Sequence, residues 1–439
     1  MGNFNIAILG CGTVGSGVAK ILLDMKDELS DRAGQTIELK KIVDLFPSKS
    51  AASYNLPMNL FCGNGNDLTK EEADKYTKEI IADNDIHLVV ETIGGTSDYL
   101  MQVILDALRA KKHVVTANKA ILAEKGKTIF QTAKENKVCL GYEASVCGAI
   151  PIIKAIRENF IGDQVLEISG IMNGTSNYIL SRMQEESLNF ATALKMAQKE
   201  GYAEADPTLD ISGGDAGHKL AILIKLAFGV DINYPELAIE GIQKISKEDL
   251  DFANEMGCTI KLICYAKKID GKVYASVKPM MVKFGNFLSK VNGATNCIEL
   301  TNRYSGKHFF VGKGAGSLET ASSIVADIIF TARYNGRIRN ITETAKIELV
   351  GSDQVELPYN IIFTTEDCPG ITGLVTTAIG EQNINIDTVS HNRHNKEKAY
   401  FSVATMPCTL TQIKKAIDQI KRKSPNILRE APKIIPILN

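Results

Sequence analysis

The glycine loop Gly10-Cys11-Gly12-Thr13-Val14-Gly15 constrains this chain more than any other feature. It follows an apolar segment, Asn5–Leu9, and opens a run that carries Val14, Val18, Ile21 and Leu22 at helical spacing. A strand that turns into a helix through GxGxxG aims backbone N–H groups and a positive helix end at a pyrophosphate, and the glycines permit the tight turn and the close approach. An ordinary Gly-rich turn is the bland alternative. The position at the head of a βαβ unit points instead to a dinucleotide. Asn5–Leu9, Ile37–Val43, Ile86–Val90, His113–Thr116 and Val138–Gly141 read as strands of a parallel sheet with helical periods between them. One such period, Tyr99–Arg109, places Leu100, Val103, Ile104, Ala107 and Leu108 on one face. Asp44 ends the second strand, where an acid can accept from a ribose 2′-hydroxyl. It lies further from the loop than the usual ~20 residues, so the intervening helix or its connection must be longer. An acid there favours NAD over NADP, with Lys49 as a countervailing charge.

Length and charge narrow the class. The 439 residues suggest roughly two to four domains. Lys plus Arg number 50 against 51 for Asp plus Glu, so no global field favours nucleic acid or an anionic membrane. The greasiest segment, Leu220–Val230, is interrupted by Lys225 and too short to span a bilayer. No signal region precedes the first strand. Nine cysteines without CxxC spacing suit a reducing compartment, so a cytoplasmic protein is expected. From about Pro151 the pattern changes to longer elements, including Val165–Met172 and Asp215–Phe228. From about Val355 a compact module begins, with strands at Tyr359–Thr364, Asn385–Val389 and Ala399–Thr405. A turn at Asp367–Gly370, a helix through Ile371, Leu374, Val375, Ala378 and Ile379, and a second helix at Ile413–Ile420 complete a β-α-β-β-α order of ferredoxin-like size.

Two further regions carry chemistry. Gly201-Tyr202-Ala203-Glu204-Ala205-Asp206-Pro207 is followed by Asp210 and by Asp215-Ala216-Gly217-His218-Lys219. Asp215 and Lys219 stand at i and i+4, on one helical face. Alone this reads as a solvated acidic loop and an exposed ion pair. The helix continues as apolar Leu220–Phe228, so the pair belongs to a buried end and lines a pocket. Thr116-Ala117-Asn118-Lys119 puts a second lysine at the carboxyl edge of a strand, where open α/β sheets bind ligands. Glu91-Thr92-Ile93-Gly94-Gly95 ends its strand in the same way. His391 and His394 read as part of a polar hairpin loop rather than a metal pair, and His218 as a group behind Lys219 or on the helix surface.

Together these segments resemble the homoserine dehydrogenase family. The matching elements also include Tyr142–Val146, Met172–Tyr178 and Gly312-Lys313-Gly314-Ala315-Gly316, in family order over roughly the first 335 residues. The fold implied is α/β. It has a Rossmann-type nucleotide domain at 1–150 and 311–345, an α+β catalytic and dimerisation domain at 151–310, and a ferredoxin-like ACT domain at 355–439. The resemblance implies interconversion of L-homoserine and L-aspartate 4-semialdehyde with NAD or NADP, in threonine and methionine biosynthesis. Lys219 and Lys119 match the family's active-site lysines, with Asp215 beside them. Glu204, Asp210, Tyr202, Gly174 and Thr175 match its substrate segments. Gly10, Gly12, Thr13, Val14, Gly15, Asp44, Thr92, Lys119, Gly314 and Gly316 match the cofactor side. Glu143, Val146, Gly148 and Ile150 match a monovalent-cation site suited to Na⁺, and Cys147 and Ala149 depart slightly from the usual residues there. The ACT resemblance implies threonine near Gly370, Asn383 and Asn385, and a homodimer or homotetramer. With no kinase-like segment before the glycine loop, the monofunctional form is expected. A non-catalytic amino-acid sensor on the same scaffold, or another amino-acid dehydrogenase of this fold, is the rival reading.

Overall fold

The structure, a computed structural model, describes residues 2–232, 234–334, 348–366, 368–395 and 398–438. Asp367, the side chains of His391 and His394, and residues 335–345 of the expected nucleotide domain lie outside that description. The N-terminal sheet is parallel, with β1 (Asn3–Leu9), β2 (Thr36–Val43), β3 (Leu88–Glu91), β4 (His113–Thr116) and β5 (Leu140–Gly141) in the order β2-β1-β3-β4-β5. Phe4 through Leu9 are all buried, as a strand covered on both faces must be. Two helices in tandem, Thr13–Asp24 and Lys26–Ala33, separate β1 from β2 and account for the distant Asp44. The helix Asp98–Arg109 buries the five apolar residues of the expected face.

A late helix, Ser317–Tyr334, returns to this sheet. Its Ala321, Ile324, Val325 and Ile328 share one core with Ile6, Ile8 and Val18. Gly17 makes the approach possible, because a Cβ there would stand 2.9 Å from the Ser317 carbonyl.

The remaining strands are β6 (Val165–Ile171), β7 (Ala238–Ile239), β8 (Cys258–Ile269), β9 (Lys272–Lys283), β10 (Thr295–Asn302), β11 (Gly306–Lys313), β12 (Leu349–Val350), β13 (Tyr359–Thr365), β14 (Ile386–Asn395), β15 (Lys398–Thr405) and β16 (Lys433–Leu438). They join in one sheet of order β11-β10-β6-β8-β9-β16-β13-β15-β14, with β7 and β12 also paired to β9. The long β8–β9 hairpin turns on Asp270-Gly271, both at positive φ, the two-residue turn whose twist suits a hairpin. The helix Gly214–Phe228 packs against both β8 and the helix Lys119–Asn136 of the nucleotide half, with all but Lys225 and Ala227 buried.

The C-terminal module runs β13, helix Ile371–Gly380, β14, β15, helix Leu410–Lys423, β16, so a sixth element completes the expected order. β14 continues to Asn395, so His391 and His394 belong to a strand and not to a hairpin loop.

Candidate active site

The glycine loop has the geometry of a nucleotide cradle. Gly10 sits at φ 86°, and a Cβ there would lie 2.8 Å from the Ile93 nitrogen. At Gly15 a Cβ would collide with the Gly10 carbonyl and stand 2.7 Å from Thr92 Oγ1. Gly12 is different, for a Cβ there meets nothing within 4 Å. It is the N-cap of helix Thr13–Asp24, which has no side-chain cap and no acid in its first turn. Backbone donors and open space together fit a pyrophosphate. Thr92 Oγ1 donates to the Gly10 carbonyl at 2.5 Å, tying the β3 loop to the cradle.

Asp44 is largely engaged by the protein. Its Oδ2 accepts from the Cys11 N–H at 2.6 Å, and its Oδ1 accepts from the Phe46 N–H at 2.8 Å and Ser50 Oγ at 3.0 Å. A carboxylate offers about four acceptor positions, so Oδ2 retains capacity for a ribose hydroxyl. Asp44 therefore shapes the loop. Glu91 is also an organiser. It is 1% exposed and accepts from Thr116 Oγ1 and the N–H groups of Ile93 and Gly94. Burial raises its pKa against those bonds. Asn118 caps helix Lys119–Asn136 through the Ile121 N–H and donates to the Gly95 carbonyl at 2.7 Å. These two residues hold the ends of β3 and β4 together, and with them the place of Lys119.

Lys119 meets Asp215 directly. Its Nζ lies 3.0 Å from Asp215 Oδ1, while Lys219 Nζ donates to Asp215 Oδ2 at 2.7 Å and to the Met172 carbonyl at 2.7 Å. One buried carboxylate thus bridges two ammoniums drawn from different halves of the chain. Burial opposes the charge on Asp215, but Lys219 and Lys119 outweigh it and hold the carboxyl below its usual range. Burial likewise works against the Lys219 ammonium, yet Asp215 keeps its pKa above the ordinary lysine value.

The same carboxylate accepts from Asn173 Nδ2 at 2.8 Å, and Asn173 also donates to Asp210 Oδ1 at 2.7 Å. Its Oδ1 caps the helix Gly174–Glu185 through the Ser176 N–H. Asn173 thus locks the helix Gly174–Glu185 to both acids. Burial raises the Asp210 pKa, with Asn173 opposing and Asp215 reinforcing the rise. Thr175 Oγ1 donates to the Tyr202 carbonyl at 2.6 Å, and the Tyr202 ring stacks on Tyr178 at 4.6 Å. Through them the loop bearing Glu204 is held beside Gly174. Glu204 itself is exposed. Gly314 lies against the Asn296 side chain, and Gly316 takes φ 135° beside Glu319. His218 is buried, 3.4 Å from Glu124 and 4.1 Å from the Tyr234 ring centroid, so it is not a surface histidine. Burial lowers its pKa, with Glu124 opposing.

At the expected cation turn, Glu143 commits its carboxylate to the N–H groups of Ile153 and Lys154, each at 2.8 Å. Burial, with Asp327 adding to it, raises its pKa to about 7. What this turn offers a cation is therefore carbonyl oxygen. The Gly148 carbonyl accepts from Ser323 Oγ at 2.7 Å and, like any carbonyl, keeps a second lone pair. Cys147 is buried, with its thiol raised by desolvation and its Sγ accepting from Asn296. That suits a packed wall and not a nucleophile.

Comparison with known proteins places this geometry. The family model described as homoserine dehydrogenase, NAD binding domain, matches residues 10–143, and the homoserine dehydrogenase model matches residues 151–329. Homoserine dehydrogenase of Helicobacter pylori is 37% identical over 99% of this chain and 99% of its own. A solved homoserine dehydrogenase from Thiobacillus denitrificans superposes with a TM-score of 0.90 at 31% identity, covering 100% of this chain and 99% of that one. A hyperthermophilic archaeal homoserine dehydrogenase in complex with NADPH shares the fold, with a TM-score of 0.63 at 24% identity over 78% of this chain and 100% of that one. The chain belongs to the homoserine dehydrogenase family, as an oxidoreductase built on a nicotinamide-nucleotide-binding domain.

Proposed function

We propose that the chain interconverts L-homoserine and L-aspartate 4-semialdehyde, with Lys219, Lys119 and Asp215 as its catalytic group. The observation that carries this reading is the two-lysine bridge across Asp215 at the carboxyl edge of the nucleotide sheet. When bound, the nicotinamide nucleotide accepts or supplies a hydride at the C4 carbon of the substrate. The archaeal relative binds NADPH, and the remaining acceptor capacity of Asp44 supports NAD here. Lys219 already serves two oxygens, which leaves one of its three protons for the substrate C4 oxygen. As the ammonium favoured by Asp215 it gives a proton to that oxygen in the reductive direction, and as the amine it takes the hydroxyl proton in the oxidative one. Lys119, with a third of its side chain exposed, exchanges protons with water. Glu204 and Asp210 receive the substrate ammonium, with Gly174, Thr175 and Tyr202 around it.

Further parts of the reading extend beyond the chemistry. A monovalent cation, Na⁺, would rest on the carbonyls of Glu143, Val146, Gly148 and Ile150, a hard donor set. Residues 1–150 with 311–345 would form the nucleotide domain, 151–310 the catalytic and dimerisation domain, and 355–439 an ACT domain taking threonine near Gly370, Asn383 and Asn385. Exposed Phe309 and Val311 on the edge strand β11 support a homodimer or homotetramer. Nine free cysteines support a cytoplasmic setting. No described helix is long and apolar enough to cross a membrane.

The test is Lys219→Ala. Homoserine-dependent nicotinamide reduction should fall by about 10²–10⁴ in kcat while nucleotide binding, read by fluorescence titration, persists. Near-normal turnover would remove Lys219 from the chemistry.

A further inference from the structure

Outside the catalytic group, one buried lysine is held by several neutral oxygens at once. Lys261, on β8, is 1% exposed. Its Nζ lies 2.8 Å from the Val291 carbonyl, 2.9 Å from Asn292 Oδ1, 3.2 Å from Asn177 Oδ1 and 3.5 Å from Ser181 Oγ. None of these is a carboxylate. A buried charge held only by neutral oxygens is costly unless those oxygens are firmly placed.

The same partners converge on one segment. Asn177 Nδ2 donates to the carbonyls of Val291, Gly293 and Thr295, and Ser181 Oγ accepts from the Gly293 N–H at 3.2 Å. Residues 291–295 are thus bound from both β8 and the helix Gly174–Glu185. That segment touches the reaction site at three points. The Ala294 carbonyl lies 2.8 Å from where a Cβ of Gly174 would stand, and Asn296 contacts both Cys147 Sγ and Gly314.

We propose that Lys261 is a positioning residue for substrate binding: its ammonium clamps segment 291–296 onto the helix Gly174–Glu185 and so fixes Gly174 and its cap Asn173. The proposal rests on Gly174 and Thr175 lying in the substrate loop. A neutral amine has two N–H donors and a lone pair facing three carbonyl-type oxygens, those of Val291, Asn292 and Asn177, so deprotonation loosens the clamp. Burial brings the Lys261 pKa down to about 8, with Glu185 opposing. Glu185 and Lys290 are the charged groups lining the neighbouring cavity of about 390 Å³.

The test follows KM and kcat for homoserine against pH in the parent, Lys261→Met, Asn292→Asp and Thr175→Val. Parental KM should rise as pH passes through about 8. In Lys261→Met it should be raised roughly tenfold or more at every pH, with nucleotide affinity held within about twofold. Asn292→Asp gives the ammonium a carboxylate partner and should move the alkaline limb upward. A folded Lys261→Met with parental KM overturns the proposal, as does a limb that is absent or unmoved in Asn292→Asp. The latter decides the matter if Lys261→Met does not fold. A raised KM in Thr175→Val with the other variants at parental behaviour rejects Lys261 alone, whereas parental KM in Thr175→Val as well rejects the substrate loop and the proposal with it.

Discussion

Asp215 carries one lysine on each carboxylate oxygen, and both ammoniums depend on it in different ways. Lys219 is buried, so its charge survives chiefly because of that neighbour. Because the folded pKa of Asp215 is depressed, its stabilising share is present above the ordinary carboxylate value of about 3.9 and is lost as pH falls through the depressed one. Lys219 behaves in the opposite sense. Its share is complete below the ordinary lysine value of about 10.4 and is lost as pH rises through the raised one. Asp215→Asn leaves the burial in place and removes the attraction. The charged form of Lys219 should then disappear at a lower pH than in the parent, and kcat in the reductive direction should fall with an alkaline limb displaced toward neutrality. A pH–rate profile reads this directly, and an unmoved limb would show that Asp215 does not govern the working lysine. The i, i+4 spacing of this pair was legible in the sequence. The third partner, Asn173, was not, because its bonds to Asp210 and Asp215 span 37 and 42 residues and no local pattern announces them.

At the scale of the element, the glycine loop separates two reasons for glycine that a motif cannot distinguish. Gly15 is required by the protein, since any Cβ meets the Gly10 carbonyl and Thr92. Gly12 has a φ of −68° and open space where a Cβ would point, so no collision within the protein demands it. Gly15→Ala should therefore lower thermal stability and nucleotide affinity together. Gly12→Ala should leave the melting temperature close to parental while nucleotide Kd rises by about tenfold or more, a discrimination of at least 1.4 kcal/mol. Parental affinity in Gly12→Ala would mean that the pyrophosphate does not approach there. The strands and helices that carry this loop were readable because their apolar periods match burial on both sheet faces. The double role of Asp44 was not. The sequence places an acid at the end of β2, but its bonds to the Cys11 and Phe46 N–H groups depend on how the loop folds back.

Across the whole molecule, the least legible element is also the one that joins its parts. The expected C-terminal module stopped at its second helix, because KIIPIL at Lys433–Leu438 contains a proline and no alternation that singles out a strand. In the fold β16 pairs antiparallel with β13 and parallel with β9, through Ile437 opposite Met281 and Leu438 opposite Val282. Lys433 adds an ion pair of 2.6 Å to Asp249, whose side chain is 4% exposed. Ile435, Ile437 and Leu438 are buried, each contributing about 1.5–3 kcal/mol. Three such side chains approach the net stability of a domain, about 5–15 kcal/mol. A chain ending at Pro432 should therefore lose cooperativity, with the C-terminal module melting separately and at lower temperature while the nucleotide sheet, which β16 does not touch, keeps its own transition. Ile437→Asp should do the same with every residue retained, because it places an unpaired carboxylate between β9 and β13. Calorimetry resolves the two transitions, and a single parental endotherm in both variants would show that the modules are coupled by contacts other than this strand.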